Sequence, residues 1–277
     1  MGHMAYEVKS AELSKGLKLP YVEQGDPSGV PVVFLHGYAD SWRAFEPLLP
    51  RLPRSIHAVA MTQRGHGDAD RPGSGYGLED FTADLAAFMD AVAIEAAVIV
   101  GSSSGGYTAQ RFAADHPERT LGLVLIGAPR SLRNKPAVAQ FFNSLSELSD
   151  PIDPAFVREF VESTLSRPVP PAFLEAMISE SLKVPVDVWK ATAQGLLKAV
   201  PPTEIATISA PTVILWGDRD EFLSRTDQEA LAAAIAGSRL VIYEGAGHVV
   251  LWEEPERVAA DVVALAERAA LCQASAP

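Results

Sequence analysis

The sequence has little of what several classes of protein require. A single cysteine, Cys272, excludes a disulfide within the chain and favours a reducing compartment. Lysine and arginine number 23 against 35 acidic residues, and no basic cluster could replace the counterions of a phosphate backbone. No run of about 18 apolar residues predicts a membrane span, and no basic segment followed by apolar residues predicts a secretion leader. We therefore expect a cytoplasmic protein with neither a nucleic-acid nor a membrane partner.

Signatures of cofactor binding are also missing. The glycines of residues 63–72 lack a following Gly-Lys-Ser/Thr, so this loop is not predicted to cradle phosphate. Residues 1–4 read Met-Gly-His-Met, which is typical of a vector-derived leader, and we assign no function to His3. We expect chemistry that uses neither a cofactor nor a bound metal.

Apolar runs and amphipathic segments alternate along most of the chain. With 48% hydrophobic residues among 277, the chain can bury a large core, and one domain with an insertion is expected. A hairpin is predicted within residues 5–25, around Ser14-Lys15-Gly16. The alternation of strand and helix predicts a mostly parallel eight-stranded sheet with helices on both faces. Six apolar runs supply the remaining strands: 30–35, 57–62, 96–100, 121–126, 212–216 and 239–243.

The strand at 30–35 runs directly into His36-Gly-Tyr-Ala-Asp40. His36 could serve as a ligand or a base, but a histidine at the end of a strand is more often structural. Ser41 is expected to cap a helix over residues 42–49, because a serine hydroxyl can accept a hydrogen bond from the first helical turn.

The alternation stops between residues 130 and 203. This segment shows no strand-like run and instead four helical patterns separated by prolines. We interpret it as an all-helical insertion, so that the core domain comprises residues 5–129 and 204–272. Most of its apolar side chains are expected to pack, and a few to face a site that the insertion would cover.

Ser103 occupies the corner between a buried strand and a helix. The strand at 96–100 leads into Gly101-Ser-Ser-Ser-Gly105, and a helical pattern follows directly. Glycines allow a sharp turn here, and a G-x-S-x-G corner exposes its middle serine in a strained conformation. A flexible linker has a similar composition, but a linker separates domains, whereas this run joins two elements without spare residues. We therefore interpret Ser103 as a candidate nucleophile.

A serine nucleophile needs a base and an acid, and both residue types follow later strands. His248 follows the last predicted strand, and the loop after the preceding strand carries Asp218, Asp220 and Glu221. An imidazole can take the proton of the hydroxyl, and a carboxylate fixes the imidazole tautomer and stabilises its charged form. Since the carboxyl ends of parallel strands share one edge of a sheet, these loops can converge with that of Ser103.

With these motifs the chain resembles the α/β-hydrolase fold superfamily, in its branch with a helical cap, from about Tyr6 to Ala270. Four motifs in the family's order carry the resemblance. They are His36-Gly37-Tyr38, Arg64-Gly-His-Gly67, Gly101 to Gly105, and Gly217-x-x-Asp220 with Gly247-His248. The chain differs from many members at Thr62, Ser102 and Ser104, where aspartate, histidine and methionine are common.

The resemblance implies a role for each residue of the site. Ser103 would be the nucleophile, His248 the base, and Asp220 the acid, because the family places the acid three residues past the glycine at 217. The loop after the strand at 121–126 reads Gly-Ala-Pro-Arg and offers no carboxylate. The backbone N–H groups of Tyr38 and Ser104 would form the oxyanion hole.

A serine nucleophile favours acyl transfer. An aspartate would be needed to attack an alkyl halide or an epoxide, and residues 130–203 contain no tyrosine to protonate an epoxide oxygen. We therefore expect a cofactor-free serine hydrolase acting on a small carboxylic ester or lactone. The oligomeric state is left open. The side chains expected to bind substrate are Trp42, Phe141, Phe142, Met177, Trp189 and Val249.

Other activities are compatible with the same residues. The triad can also serve an amide, peracid formation or cleavage of a carbon–carbon bond. A receptor that retains the triad with negligible turnover is an alternative of another class.

Overall fold

A computed structural model describes residues 6–14, 16–133 and 135–274. The leader at residues 1–4 and Lys15 of the hairpin turn lie outside the described residues. Eight strands form one sheet in the order β1-β2-β4-β3-β5-β6-β7-β8. The β1–β2 and β2–β4 pairs are antiparallel and the others parallel, which confirms the predicted sheet. The strands are β1 (Lys9–Glu12), β2 (Lys18–Gln24), β3 (Val30–Leu35), β4 (Ile56–Met61), β5 (Ala97–Ser102), β6 (Thr120–Ile126), β7 (Thr212–Gly217) and β8 (Arg239–Tyr243).

Both faces of the sheet are covered, as its apolar strands require. Val32 and Phe34 of β3 pack into one hydrophobic cluster, and the alternate residues Val33 and Leu35 pack into another. Because successive side chains of a strand point to opposite faces, the two clusters are the two layers between sheet and helices. The helices are α1 (Leu78–Ala91), α2 (Ser104–Asp115), α3 (Pro136–Ser146), α4 (Pro154–Ser163), α5 (Pro171–Leu182), α6 (Val186–Lys198), α7 (Pro202–Ile205), α8 (Arg225–Ala234), α9 (Val250–Glu253) and α10 (Pro255–Ala274).

The helix expected after Ser41 is the clearest local difference from the sequence analysis. Ser41 does accept a hydrogen bond from the N–H of Arg43, at 3.2 Å, but the chain forms two short 3₁₀ turns, Trp42–Phe45 and Leu49–Arg51. Pro47 and Pro50 lack the N–H groups that a continuous α-helix needs here.

The described residues between β6 and β7 hold helices and no strand. Four helices, α3 to α6, fill this segment before the short α7, with α3 against α6 and α4 against α5. None of the helices in the described ranges is both long and apolar enough to cross a membrane.

Candidate active site

The candidate nucleophile lies at a strained corner. Ser103 follows the last residue of β5 and precedes the first of α2, with φ of 50° and ψ of −118°. A Cβ on Gly105 would lie 2.4 Å from the carbonyl oxygens of Leu35 and His36, so only glycine lets α2 begin so close to β3. A positive φ at a non-glycine residue is costly and is retained where the surrounding packing imposes it. The corner therefore holds the Ser103 side chain beyond the end of the sheet.

Three side chains from three loops meet at this corner. His248 Nε2 lies 2.9 Å from Ser103 Oγ, and His248 Nδ1 lies 2.8 Å from Asp220 Oδ2. The other carboxylate oxygen, Oδ1, accepts the backbone N–H groups of Phe222 at 2.8 Å and Leu223 at 3.0 Å. The acid is therefore fixed in its own loop, and it favours the tautomer in which Nδ1 carries the proton and Nε2 can accept one.

The electrostatics of His248 suit a base that must become charged. Burial lowers the pKa of the imidazole, but the charge and hydrogen bond of Asp220 raise it, as does the charge of Asp40, and the net direction is upward. The structure thus stabilises the imidazolium form beside Ser103.

The other two acids of the Asp220 loop do not contact His248. Asp218 Oδ1 accepts the backbone N–H of Gly245 at 2.6 Å, which braces one loop against the next. Glu221 is exposed. Of the three carboxylates left open by the sequence, Asp220 is the one that the fold directs at the imidazole.

The N–H groups expected to form the oxyanion hole lie at the same edge. Ser104 is the first residue of α2, where a helix leaves its N–H groups without an intrahelical acceptor. Tyr38 lies on the loop after β3, and both residues line the same cavity as Ser103 and His248. In the described part of the chain, neither N–H donates to a protein acceptor. The expected site of the oxyanion is therefore open to a ligand.

Three of the six side chains expected to bind substrate line this cavity: Phe141, Phe142 and Val249. The other three are not among the described residues that line it. Trp42 packs edge-on against Tyr6, with ring centroids 5.8 Å apart. Met177 is fully buried in the larger core cluster, and Trp189 is enclosed by aromatic rings that include Tyr38, 5.0 Å away. These three are large side chains used for packing, which the sequence pattern does not distinguish from a pocket wall.

His36 has a structural environment. It is fully buried, its Nδ1–H donates to the carbonyl of Gly37 at 2.8 Å, and its Nε2 accepts the N–H of Gln63 at 2.9 Å. Both ring nitrogens are thereby occupied. In the described ranges no group of three or more His, Cys, Asp or Glu side chains is placed to hold a metal ion.

Two acidic residues near the site were not singled out from the sequence. Glu253 ties the His248 loop to the insertion, since one oxygen accepts the N–H of Gly247 at 2.9 Å and the other that of Ser166 at 2.6 Å. The N–H of His248 itself donates to the carbonyl of Thr164 at 2.9 Å. The sequence signal for this bridging role of Glu253 is only that an acidic residue follows His248 by a few positions.

Asp40 is the second of these residues, and it lines the cavity with 8% of its surface exposed. Burial raises the pKa of its carboxyl to about 7, and the charge of Glu180 adds to this rise, while His248 and a hydrogen bond from Gly37 oppose it. An acid on the loop after a buried apolar strand was visible in the sequence, but its burial was not.

The raised pKa of Asp40 predicts a pH-dependent stability. Its pKa is about 7 in the folded chain against an ordinary value of 3.8, so the unfolded chain loses this proton first as the pH rises. This group should therefore lower the free energy of unfolding between about pH 4 and about pH 7, by up to about 4 kcal/mol. Asp40→Asn removes the ionisation, so the variant should gain stability relative to the wild type across that range.

Denaturant unfolding of both proteins at about pH 5 and about pH 8 measures this difference. Asp187→Asn, on the exposed surface of α6, is the control and should show little change with pH. A constant stability difference between Asp40→Asn and the wild type at the two pH values would contradict the prediction.

A mostly parallel sheet with a serine at a strand-to-helix corner of its carboxyl edge defines a class of hydrolytic enzymes. A sequence model described as the alpha/beta hydrolase family matches residues 32–261 of the chain. The chain therefore belongs to the α/β-hydrolase family, and it is an enzyme of the hydrolase class.

Individual relatives are distant. The AB hydrolase superfamily protein YisY of Bacillus subtilis is 27% identical over 242 residues, which cover 83% of this chain and 89% of that protein. A non-heme chloroperoxidase of Streptomyces lividans is 35% identical over 119 residues, and this match covers 42% of each chain. An esterase from Exiguobacterium antarcticum has the same fold, with a TM-score of 0.83 over 94% of this chain and all of that one, at 22% identity.

Proposed function

We propose that the protein is a serine hydrolase that cleaves a carboxylic ester or lactone through an acyl-enzyme. The observation that carries the proposal is the chain of contacts from Ser103 Oγ to His248 Nε2 at 2.9 Å and from His248 Nδ1 to Asp220 Oδ2 at 2.8 Å. This geometry supports a serine that can lose its proton to a base whose tautomer is already fixed.

In the proposed mechanism Ser103 Oγ attacks the ester carbonyl while its proton passes to His248 Nε2. The N–H groups of Tyr38 and Ser104 hold the oxyanion of the tetrahedral intermediate, where one such donor is typically worth about 3 kcal/mol. His248 then gives the proton to the leaving alcohol. Water attacks the acyl-enzyme by the same steps in reverse and releases the acid.

The helical segment at residues 130–203 would act as a cap over this chemistry. It contributes apolar side chains to the cavity that also holds Ser103: Leu132, Val138, Phe141, Phe142, Phe160, Val161 and Leu196. A pocket with such walls suits a medium-sized apolar acyl or alcohol group. The cap and the core at residues 5–129 and 204–272 would thus share the substrate.

The proposal predicts that neutral esters are preferred over charged ones of equal length. p-Nitrophenyl butyrate should exceed p-nitrophenyl hemisuccinate in kcat/KM by about tenfold or more, because a buried carboxylate loses its hydration without gaining a partner. Initial rates of p-nitrophenol release measure both, and a cationic aryl ester of the same length completes the set. If a charged ester had the highest kcat/KM, the proposal of an apolar substrate pocket would be overturned.

The same assay separates an enzyme from a receptor that retains the triad. An enzyme releases many equivalents of p-nitrophenol per protein molecule. A receptor with negligible turnover releases at most one equivalent and then stops.

The name of the chloroperoxidase relative supports a second candidate, in which hydrogen peroxide replaces water as the attacking nucleophile. The acyl-enzyme would then yield a peracid in place of an acid. Peracid formation from a short carboxylic acid and hydrogen peroxide tests this candidate, and its absence beside brisk ester hydrolysis would exclude it.

A further inference from the structure

Asp40 lies beside the proposed nucleophile. A Cβ built on Gly37 would lie 3.1 Å from Asp40 Oδ2 and 3.4 Å from Ser103 Cβ, so carboxylate and serine flank the same point of the loop after β3. Asp40 lines the cavity together with Ser103 and His248. A substrate bound for attack by Ser103 therefore passes close to this carboxylate.

The Asp40 carboxylate is incompletely paired. It accepts a hydrogen bond from the backbone of Gly37, and its nearest charged neighbours are His248 and Glu180. Among the residues that the structure describes, no lysine or arginine forms an ion pair with it, and no side chain donates to it. A carboxylate can accept about four hydrogen bonds, and a buried acceptor left without a donor is costly. Capacity to accept therefore remains on this carboxylate, which lines the cavity.

The rest of the cavity offers few competing polar groups. Tyr38 donates its hydroxyl to the carbonyl of Trp189, and Thr164 donates its hydroxyl to the carbonyl of Val161. Asp40 is the one acidic side chain among the described residues that line the cavity. A polar group of the substrate that enters this apolar space would find its strongest acceptor at Asp40.

We infer that Asp40 is a specificity-determining residue, whose carboxylate accepts a hydrogen bond from a hydroxyl or N–H group of the substrate near the scissile carbonyl. The preferred substrates would then be hydroxy or N-acylamino esters in place of plain alkyl esters. The inference rests on the proposed function and names the substrate class of that site. The physical reason lies in the hydration of the Asp40 carboxylate. An ester without a donor group displaces water from this carboxylate and leaves the carboxylate without a hydrogen bond, whereas the hydroxyl of a hydroxy ester replaces the hydrogen bond of the displaced water.

Matched pairs of esters test the inference on either side of the scissile bond. On the acyl side, p-nitrophenyl butyrate is paired in turn with the p-nitrophenyl esters of 2-hydroxybutyrate and 3-hydroxybutyrate. On the alcohol side, propyl butyrate is paired with 2-hydroxyethyl butyrate. Each hydroxyl-to-alkyl ratio of kcat/KM is measured at about pH 8 in the wild type, Asp40→Leu and Asp40→Asn, because the Asp40 carboxyl, with its pKa of about 7, is mostly ionised there. Comparing ratios between proteins removes the intrinsic reactivity of each ester.

In at least one pair the wild type should favour the hydroxyl ester, and that preference should fall about tenfold in Asp40→Leu, which is close in shape to aspartate but cannot accept. Asp40→Asn keeps one acceptor oxygen, so its preference for the hydroxyl ester should fall only about threefold. The exposed control Asp187→Asn should keep the wild-type ratio. If Asp40→Leu fails to fold, the shift in Asp40→Asn still decides the matter.

An unchanged ratio in the folded Asp40 variants, or a wild type that favours the hydroxyl ester in none of the pairs, would overturn the inference. Either result with rapid turnover of p-nitrophenyl butyrate leaves the proposed hydrolase intact. A wild type that cleaves none of the esters would count against both.

Discussion

Replacing Ser103 with alanine is expected to abolish ester hydrolysis and leave the protein folded. Alanine meets the same backbone constraint at φ of 50° as serine does, so the corner should keep its geometry. Without the oxygen that attacks the carbonyl, kcat should fall by about 10⁴ or more, as it does when a protease triad loses its serine. Initial rates on p-nitrophenyl butyrate, with a thermal melt of both proteins, make the comparison.

A fluorophosphonate provides an independent readout of the same residue. The wild type should be labelled once, at Ser103, because His248 Nε2 lies 2.9 Å from that hydroxyl and can take its proton. Ser103→Ala should not be labelled. Peptide mapping that finds the label on Ser102 or Ser104 would show that the corner has been assigned to the wrong serine.

Replacing Asp220 with asparagine is expected to lower kcat by about 10² or more. The backbone N–H groups of Phe222 and Leu223 both point at Oδ1, so they should hold the amide oxygen of an asparagine there. Its NH₂ group would then face His248 Nδ1, 2.8 Å away in the wild type, and donate to it. That hydrogen bond stabilises the tautomer with the proton on Nε2, which cannot accept the proton of Ser103.

Asp218→Asn is the matched control on the same loop. The oxygen of its amide can still accept the N–H of Gly245, so the brace between the loops should survive and kcat should stay near that of the wild type. Purified, folded samples of both variants are compared at saturating substrate. Near-normal turnover in Asp220→Asn with a collapse in Asp218→Asn would reverse the assignment of the acid.

Strands and helices were predictable wherever a single periodicity dominated. The apolar runs at 30–35 and 239–243 are strands with those limits, and the run at 57–62 is shifted by one residue, to Ile56–Met61. Because these strands are buried on both faces, apolar and polar residues do not alternate along them. Their short length distinguishes them from helices. The helix predicted over residues 42–49 is not formed. The apolar residues there have helical spacing, but Pro47 and Pro50 lack the backbone N–H groups that a continuous helix needs.

The candidate site was predictable in part because its motifs are local. The glycines of Gly101-Ser-Ser-Ser-Gly105 are required by contacts within a few residues and with β3, so the corner can be inferred from the chain itself. The substrate pocket could not be inferred in this way. Phe141 and Trp189 both belong to helices of the segment between β6 and β7, yet Phe141 lines the cavity, whereas Trp189 packs edge-on against Tyr38 and is not among the described residues that line the cavity.

The order of the strands and helices along the chain can be predicted from sequence alone, and so can the serine corner and the residue types that could serve as base and acid. These follow from periodicity and from short motifs, whose physics acts over a few residues. The folded arrangement was needed to show that Asp220 faces His248, that Asp218 and Glu221 do not, and that Asp40 is buried beside Ser103. The contact between Asp220 and His248 and the burial of Asp40 both depend on segments that are far apart in the chain. They form only when the sheet brings the loops together at one edge.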